Sequence, residues 1–381
     1  MNKRVLKIAI ALLLSTLILG ICTLAASINL SATKSSSTLT ENIFTEPDML
    51  VFLSPQYSLD KNIYSAIRNY TSSVKTDIGW NTDIIKLSLE HNNYKIIDQI
   101  IEDHFEKYQI KTCIMVGEDT DTALGGSNSY MRKPSTIPWE TIGGEKSYEI
   151  IDNKVVCKPY KIQICISLLY PTSDLDYATK KMQIIEAFNK FSTERNIVLD
   201  KETLVLESSE LNANSKDIYL GMDCNSPLTY KQDPTEVDIK ESIDSSYSMY
   251  FVHGHSNPSG TDVSAGGDGW FSADLLDSLN THLFGADGCY VGGWWSNSKE
   301  PNTLSPSVSS TWYGSKIFTS KNIKVMVLGM LSQNGLTYPV SFIENAVPGL
   351  SNGKTVAESV IGNNCLGDTI IIGDPTFHFD L

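Results

Sequence analysis

The chain has 381 residues, 41% of them hydrophobic, enough for one large domain or two smaller ones around a real core and too apolar for a disordered polymer. Its 30 basic residues against 44 acidic ones leave a formal net charge of -14 with no basic stripe, which argues against a nucleic-acid binder and is neutral about substrate. The 7 cysteines are scattered without a C-x-x-C pair, so neither a zinc site nor a dense disulfide scaffold is indicated.

Residues 1–26 read as a targeting segment: Lys3, Arg4 and Lys7 form a positive flank, and Ile8–Ala26 is nearly all apolar. A cleavable signal peptide and an uncleaved membrane anchor both fit, with Thr23-Leu24-Ala25 suited to signal peptidase. Either way the bulk of the chain is expected outside the cytoplasm, secreted or tethered to a membrane through this segment. Residues 27–47 are a Ser/Thr-rich linker without periodicity.

From 48 to 381 the pattern is that of a folded domain, with two subdomains expected at roughly 48–160 and 161–381. Met49–Leu53 is strand-like, Asp60–Val74 has helical spacing, and Asp83–Leu87 is a second short strand. Tyr94–Tyr108 is a clearer helix, with Ile96, Ile97, Ile100, Ile101 and Phe105 on one face. Ile110–Val116 is a buried strand that breaks at Gly117, and the β-α-β-α-β alternation implies a parallel sheet. Glu118, Asp119 and Asp121 follow it; acids after a strand are ordinarily solvated, and that reading is preferred to a structural calcium ion or a partner for a histidine. No cofactor is expected. Gly125–Val156 is long, polar and irregular, which is the habit of a functional loop. Ile162–Tyr170 is a strand, followed by a helix to about Asn196 with Ser173 as N-cap and Leu175, Ala178, Met182, Ile185 and Phe188 inward. Thr203–Leu206 is a strand and Tyr219–Thr235 a loop; Lys324–Gly329 and Asp368–Ile372 are the last strands, the second ending in Gly373-Asp374-Pro375. Cys113 and Cys165 lie in apolar runs and belong to the core, leaving Cys157, Cys224 and Cys365 as disulfide candidates of undetermined pairing.

The chemistry is concentrated in Tyr250–Gly293. Two apolar runs, Tyr247–Val252 and His282–Ala286, each break into small residues beside a reactive side chain. At the first break stand His253 and His255 around Gly254; at the second stands Cys289, after Gly288 and before Gly292 and Gly293. Ligands of open α/β sheets sit at the carboxyl ends of parallel strands, so neighbouring strands of this kind bring an imidazole and a thiol to one edge. That pairing suits a nucleophile: the imidazole helps form the thiolate and then protonates the leaving group. The two histidines are two positions apart in an extended run and start on the same side of the strand, so either can serve. Trp294 and Trp295 would make a wall for a substrate side chain, and Gly254 and Gly288 would shape the oxyanion pocket.

Rival chemistries are weaker. Gly349-Leu350-Ser351-Asn352-Gly353 matches G-x-S-x-G, but Pro348 makes a poor preceding strand and a surface turn is expected there. His253-x-His255 lacks the further ligands of a metal motif, and His91, His104, His282 and His378 are scattered.

Four stretches together resemble the gingipain family of cysteine peptidases, within the caspase–legumain–gingipain group. They are the apolar block ending in His253-Gly254-His255-Ser256, the block ending in Asp287-Gly288-Cys289, the strand end Val116-Gly117-Glu118-Asp119 and the terminal Gly373-Asp374-Pro375. The resemblance covers about Asp48 to the C-terminus. It implies mostly parallel sheets flanked by helices, a caspase/gingipain-like α/β fold in two side-by-side sub-sheets joined by the crossover near Ile162–Asn196. It also implies a peptide or protein substrate, Cys289 as nucleophile and His255 as its acid–base partner, with His253 as the alternative register. Ser256, where relatives carry glycine, departs from the pattern, and the loop Gly125–Val156 shows no clear equivalent of the family's acidic specificity residue.

Overall fold

The computed structural model describes residues 46–380 apart from 93, 118–122, 125–132, 135–139, 141, 143–147, 152–153, 158–159, 200, 211–225, 289–290, 292–294, 298–303, 307, 331–339, 363 and 366–367. Strand β1 (Met49–Leu53) consists of five apolar residues, all buried. A strand covered on both faces has no polar side to alternate with, and such a continuous run is the mark of an inner parallel strand. Helix α1 (Lys61–Ile78) starts where Asp60 accepts the N–H groups of Asn62 and Ile63, and it buries Ile63, Ile67, Tyr70 and Val74 at helical spacing. It stops at Gly79, whose left-handed φ of 78° a side chain would resist. Then come β2 (Thr82–Lys86), α2 (Tyr94–Tyr108), β3 (Thr112–Val116), β4 (Cys165–Leu169), α3 (Tyr177–Ser192) and β5 (Thr203–Glu207). They are followed by β6 (Leu228–Gln232), α4 (Glu236–Ile243), β7 (Met249–His253), the short strands β8 (His255–Asn257), β9 (Gly260–Asp262) and β10 (Trp270–Ser272), and β11 (Leu283–Asp287). The last elements are β12 (Val325–Met330), α5 (Val340–Ser351), α6 (Val356–Val360) and β13 (Asp368–Gly373).

Ten of these strands form one sheet in the order β6-β5-β7-β11-β12-β13-β4-β3-β1-β2. Strands β2, β1, β3 and β4 are mutually parallel, and so are β6, β5, β7, β11 and β12. The final strand β13 sits between the two runs, antiparallel to β12. This is an α/β fold built on a mostly parallel sheet flanked by helices. Where two sub-sheets were expected, the two runs are joined edge to edge through β13. Strand β4, which lies beyond residue 161, pairs with β3 and so belongs to the first run.

The crossover helix α3 differs from its expected form. Asp176, not Ser173, caps it, accepting the N–H of Thr179. Ser173 instead bridges to Val308, accepting its N–H at 2.9 Å. The later start rotates the inner face: Ile184, Ala187, Phe188 and Phe191 are buried while Met182 is exposed. Phe188 and Phe191 meet Tyr70 of α1 at ring-centroid separations of 5.3 and 6.2 Å. Strand β6 lies in the stretch read as a loop; its sequence LTYKQ is half polar because it forms the edge of the sheet.

Candidate active site

Strands β5, β7 and β11 end on one row: Glu207 pairs with His253, and His253 pairs with Asp287. Cross-strand neighbours of a parallel sheet share a face, so three ionisable side chains converge where three apolar strands stop. Glu207 is 0%, His253 2% and Asp287 6% exposed. The imidazole of His253 holds Oε1 of Glu207 through Nδ1 at 2.7 Å and faces Oδ2 of Asp287 through Nε2 at 3.6 Å. The hydroxyl of Tyr230, on β6, donates to the other oxygen of Glu207. Burial opposes the charged form of His253, but the carboxylates of Asp287 and Glu207 outweigh it and raise its pKa. Burial pushes the Asp287 carboxyl up to about 7, against the attraction of His253 and with the repulsion of Glu207.

His255 stands differently. At Gly254 the chain leaves the large sheet and enters the three-stranded antiparallel sheet β8-β9-β10, in which His255 pairs with Asp262. The shared side expected for the two histidines is therefore lost: the His255 side chain is 61% exposed, with Nε2 3.5 Å from Oε2 of Glu210. A side chain on Gly254 would run into the backbone of Asp262, and one on Gly288 would run into the Gly254 carbonyl and the Ser256 hydroxyl. The two glycines are thus required for close approach. The N–H of Gly254 donates to the Asp287 carbonyl at 3.1 Å, so it extends the ladder and is not free for an oxyanion.

Of the residues singled out in the sequence, His253, His255, Gly254 and Gly288 lie together at this edge. Trp295 begins a strand, Trp295–Asn297, that pairs with Leu304–Pro306 inside the expected Ser296–Ser310 loop. Cys289, Trp294, Cys224, the acids Glu118, Asp119 and Asp121, and most of the loop Gly125–Val156 lie outside the described residues. Among the described residues no group of histidine, cysteine and acidic side chains could hold a metal ion. Cys113 and Cys165 are buried, and that burial raises both thiols, which disfavours the nucleophilic thiolate.

Ser351 is not on a surface turn. It is buried at the end of α5. Gly349 lets α6 approach, since a side chain there would press on Ser359 at 2.6 Å, and Gly353 ends the helix at φ 74°. The G-x-S-x-G pattern is therefore a packed helix stop, without the strand-to-helix elbow a nucleophilic serine needs.

Sequence reading missed Glu207, Glu210 and Tyr230. Glu207 had a signal: it is an acid set directly at the end of the apolar run Thr203–Leu206. Glu210 had none, because its approach to His255 depends on how β5 and β7 sit side by side.

No protein-family model matches the chain, and no curated protein matches it. Two solved structures are similar in fold. One is the Arg-specific cysteine proteinase gingipain R (RgpB), at 12% identity and a TM-score of 0.56 over 87% of this chain and 78% of that one. The other is the complex of the pro- and mature domains of Porphyromonas gingivalis RgpB, at 13% identity and a TM-score of 0.56 over 86% of this chain and 79% of that one. At this identity the likeness is one of fold: the chain has the gingipain/caspase-like α/β architecture.

Proposed function

We propose that the protein is a cysteine endopeptidase that cleaves peptide bonds with Cys289 as nucleophile and His255 as acid–base partner. The supporting observation is the register at the sheet edge. His253 and Asp287 are paired, so positions 255 and 289 each lie two residues beyond one row on adjacent parallel strands. Gly288, the residue before Cys289, packs directly on Gly254 and Ser256, which flank His255. The fold shared with a cysteine proteinase supports the same reading.

In this reading the Cys289 thiolate attacks the carbonyl carbon of a peptide bond. The imidazole of His255 protonates the departing amine, leaving a thioester, and then takes a proton from water as water attacks it. Glu210 engages Nε2 of His255 and leaves Nδ1 for the thiol. It is the group that orients the ring. His253 does not fit the base role, because both its ring nitrogens face buried carboxylates. The N–H of Cys289 is the oxyanion donor; that of Gly254 is already used. The apolar segment 1–26 exports the domain, as signal peptide or anchor. Among the described residues no helix is long and apolar enough to cross a membrane.

The test is hydrolysis of a mixed peptide library by the wild type and by Cys289→Ala, His255→Ala and His253→Ala. Loss of cleavage with Cys289→Ala and of about 100-fold or more with His255→Ala is expected. Undiminished cleavage by Cys289→Ala ends the reading. A wild type that binds peptides without cleaving them makes the protein a binding member of the fold.

A further inference from the structure

The small sheet β8-β9-β10 has two unlike faces. On the inner face Thr261 and Phe271 are wholly buried. The Tyr313 hydroxyl ties that face down: it donates to the Phe271 carbonyl at 2.9 Å and lies 3.2 Å from the Thr261 hydroxyl. Strands alternate their side chains, so the neighbours of these residues face outward. The outer face carries one row in register across all three strands: His255 pairs with Asp262, and Asp262 pairs with Trp270. Asp262 is half-buried and the other two are exposed, Trp270 to 44%.

A lone exposed aromatic side chain is ordinary on a protein surface. Trp270 is more than that, because its indole is fixed. The ring lies against Gly260, where an added Cβ would meet it at 2.4 Å. Only a glycine admits the ring so close to the backbone of β9. An apolar surface is thereby held toward solvent, on an anchored sheet and in the same row as the proposed acid–base residue. A fixed aromatic wall of this kind suits a side chain that arrives from solution.

We propose that the outer face of β8-β9-β10 binds the leaving segment of a peptide substrate, the part beyond the cleaved bond, and that Trp270 selects an apolar or aromatic side chain there while Asp262 rejects an acidic one. This rests on the peptidase reading. The side of the bond follows from the chemistry: His255 gives its proton to the departing amine, so the leaving segment starts at that imidazole. The strand end that leads to Cys289 meets the small sheet at β8, where Gly288 packs on Gly254 and Ser256. Trp270 stands on β10, at the opposite edge. Two strand spacings come to about 10 Å, the reach of roughly three residues of extended chain, so the selected side chain belongs to the start of the leaving segment. Asp262 lies between His255 and Trp270 in the row, its Oδ1 accepting from the N–H and hydroxyl of Ser264 at 3.2 and 3.3 Å. With Glu210 beside His255 it makes the face acidic, which repels a negative side chain.

The test reads binding and cleavage separately. Labelled peptides carry Phe, Ala or Glu at each of the first three positions beyond the bond that the wild type cleaves. They are titrated by fluorescence anisotropy against Cys289→Ala, with Trp270 intact and with Trp270→Ala added. At one of those positions Phe is expected to bind about tenfold tighter than Ala, and Glu more weakly than either. Trp270→Ala is expected to remove the advantage of Phe, and Trp270→Phe, which keeps a ring against Gly260, to retain most of it. Asp262→Asn is expected to lift the disadvantage of Glu. In the chain with Cys289 present, the preference for Phe in kcat/KM should disappear with Trp270→Ala in the same way. A preference beyond the bond that survives Trp270→Ala, or a change confined to the acyl side, overturns the proposal. A protein that cleaves peptides with selectivity independent of Trp270 keeps the peptidase reading and loses this one. One that cleaves nothing, while its Cys289→Ala variant binds peptides through Trp270, loses the peptidase reading and keeps the outer face as a peptide site.

Discussion

Two buried ionic clusters occupy opposite ends of the second run of strands, and they are built to different standards. At the amino-terminal end of β12, Asp374 is completely satisfied. One oxygen accepts from the Tyr70 hydroxyl at 2.6 Å and from the N–H and hydroxyl of Thr376 at 2.9 and 2.6 Å; the other accepts from Arg195 at 2.9 Å. Arg195 spends its remaining nitrogens on Asp77 at 2.7 Å and on the carbonyl and hydroxyl of Thr376. This network binds the end of β13 to α1 and to the residues after α3, and it gives the terminal Gly373-Asp374-Pro375 a structural meaning. At the carboxyl end of β5, β7 and β11, by contrast, Asp287 draws on the backbone N–H of Gly288 and faces the imidazole of His253 only at 3.6 Å. A network with every lone pair answered rigidifies a fold; one with a loosely held carboxyl has a proton to gain or lose.

Breaking the satisfied cluster carries the largest expected effect on stability. Asp374→Ala leaves the Arg195 guanidinium, 7% exposed, without its central partner, and a loss of about 3–5 kcal/mol is expected in urea unfolding. Tyr70→Phe removes one hydrogen bond from the same carboxylate and is expected to cost roughly 1–3 kcal/mol by the same measurement.

The looser cluster is expected to respond with the opposite sign. The native Asp287 holds a proton to about pH 7, whereas its ordinary value is 3.8. Its contribution to stability is therefore complete below 3.8 and is lost as the pH rises through about 7. The upward shift of His253 from 6.5 acts in the same direction at higher pH. Thermal midpoints of the wild type are expected to fall across neutrality, and Asp287→Asn to abolish most of that fall. Its midpoint should exceed that of the wild type at pH 8 and approach it at pH 4. A wild-type midpoint that rises from pH 5 to 8 contradicts the contrast drawn between the clusters. The smallest effect belongs to the surface: Glu210, 50% exposed, only orients His255, so Glu210→Gln should lower the peptide-cleavage rate constant by about tenfold or less and leave stability within roughly 0.5 kcal/mol.

What the sequence made legible follows from burial. Strands β1, β3, β7 and β11 are buried along their whole length and mostly apolar, as strands covered on both faces are, and such runs can be found without a structure. Edge strand β6 has no such signature, and the inner face of α3 shifts with the position of its cap, which moved from Ser173 to Asp176. The strand ends at His253 and Asp287 could be located in the same way, but the difference between the histidines could not. Whether an imidazole is buried between carboxylates or turned outward depends on Glu207 and Glu210, which lie more than forty positions away on β5 and beyond its end. Similarly, Asp374 was visible as part of a motif, while its partner Arg195 lies 179 positions earlier. Long-range pairs of this kind leave no local pattern.

The central claim, that Cys289 is the nucleophile, is tested most directly by trapping the acyl-enzyme. Wild-type protein is mixed with an activated peptide ester, quenched in acid within the burst, digested, and examined by mass spectrometry for the acyl group. A thioester on the peptide containing Cys289, absent from Cys289→Ala and longer-lived in His255→Ala, is the predicted result. An acyl group carried by Ser351, or peptide hydrolysis with no acyl group on Cys289 at any quench time, would contradict it.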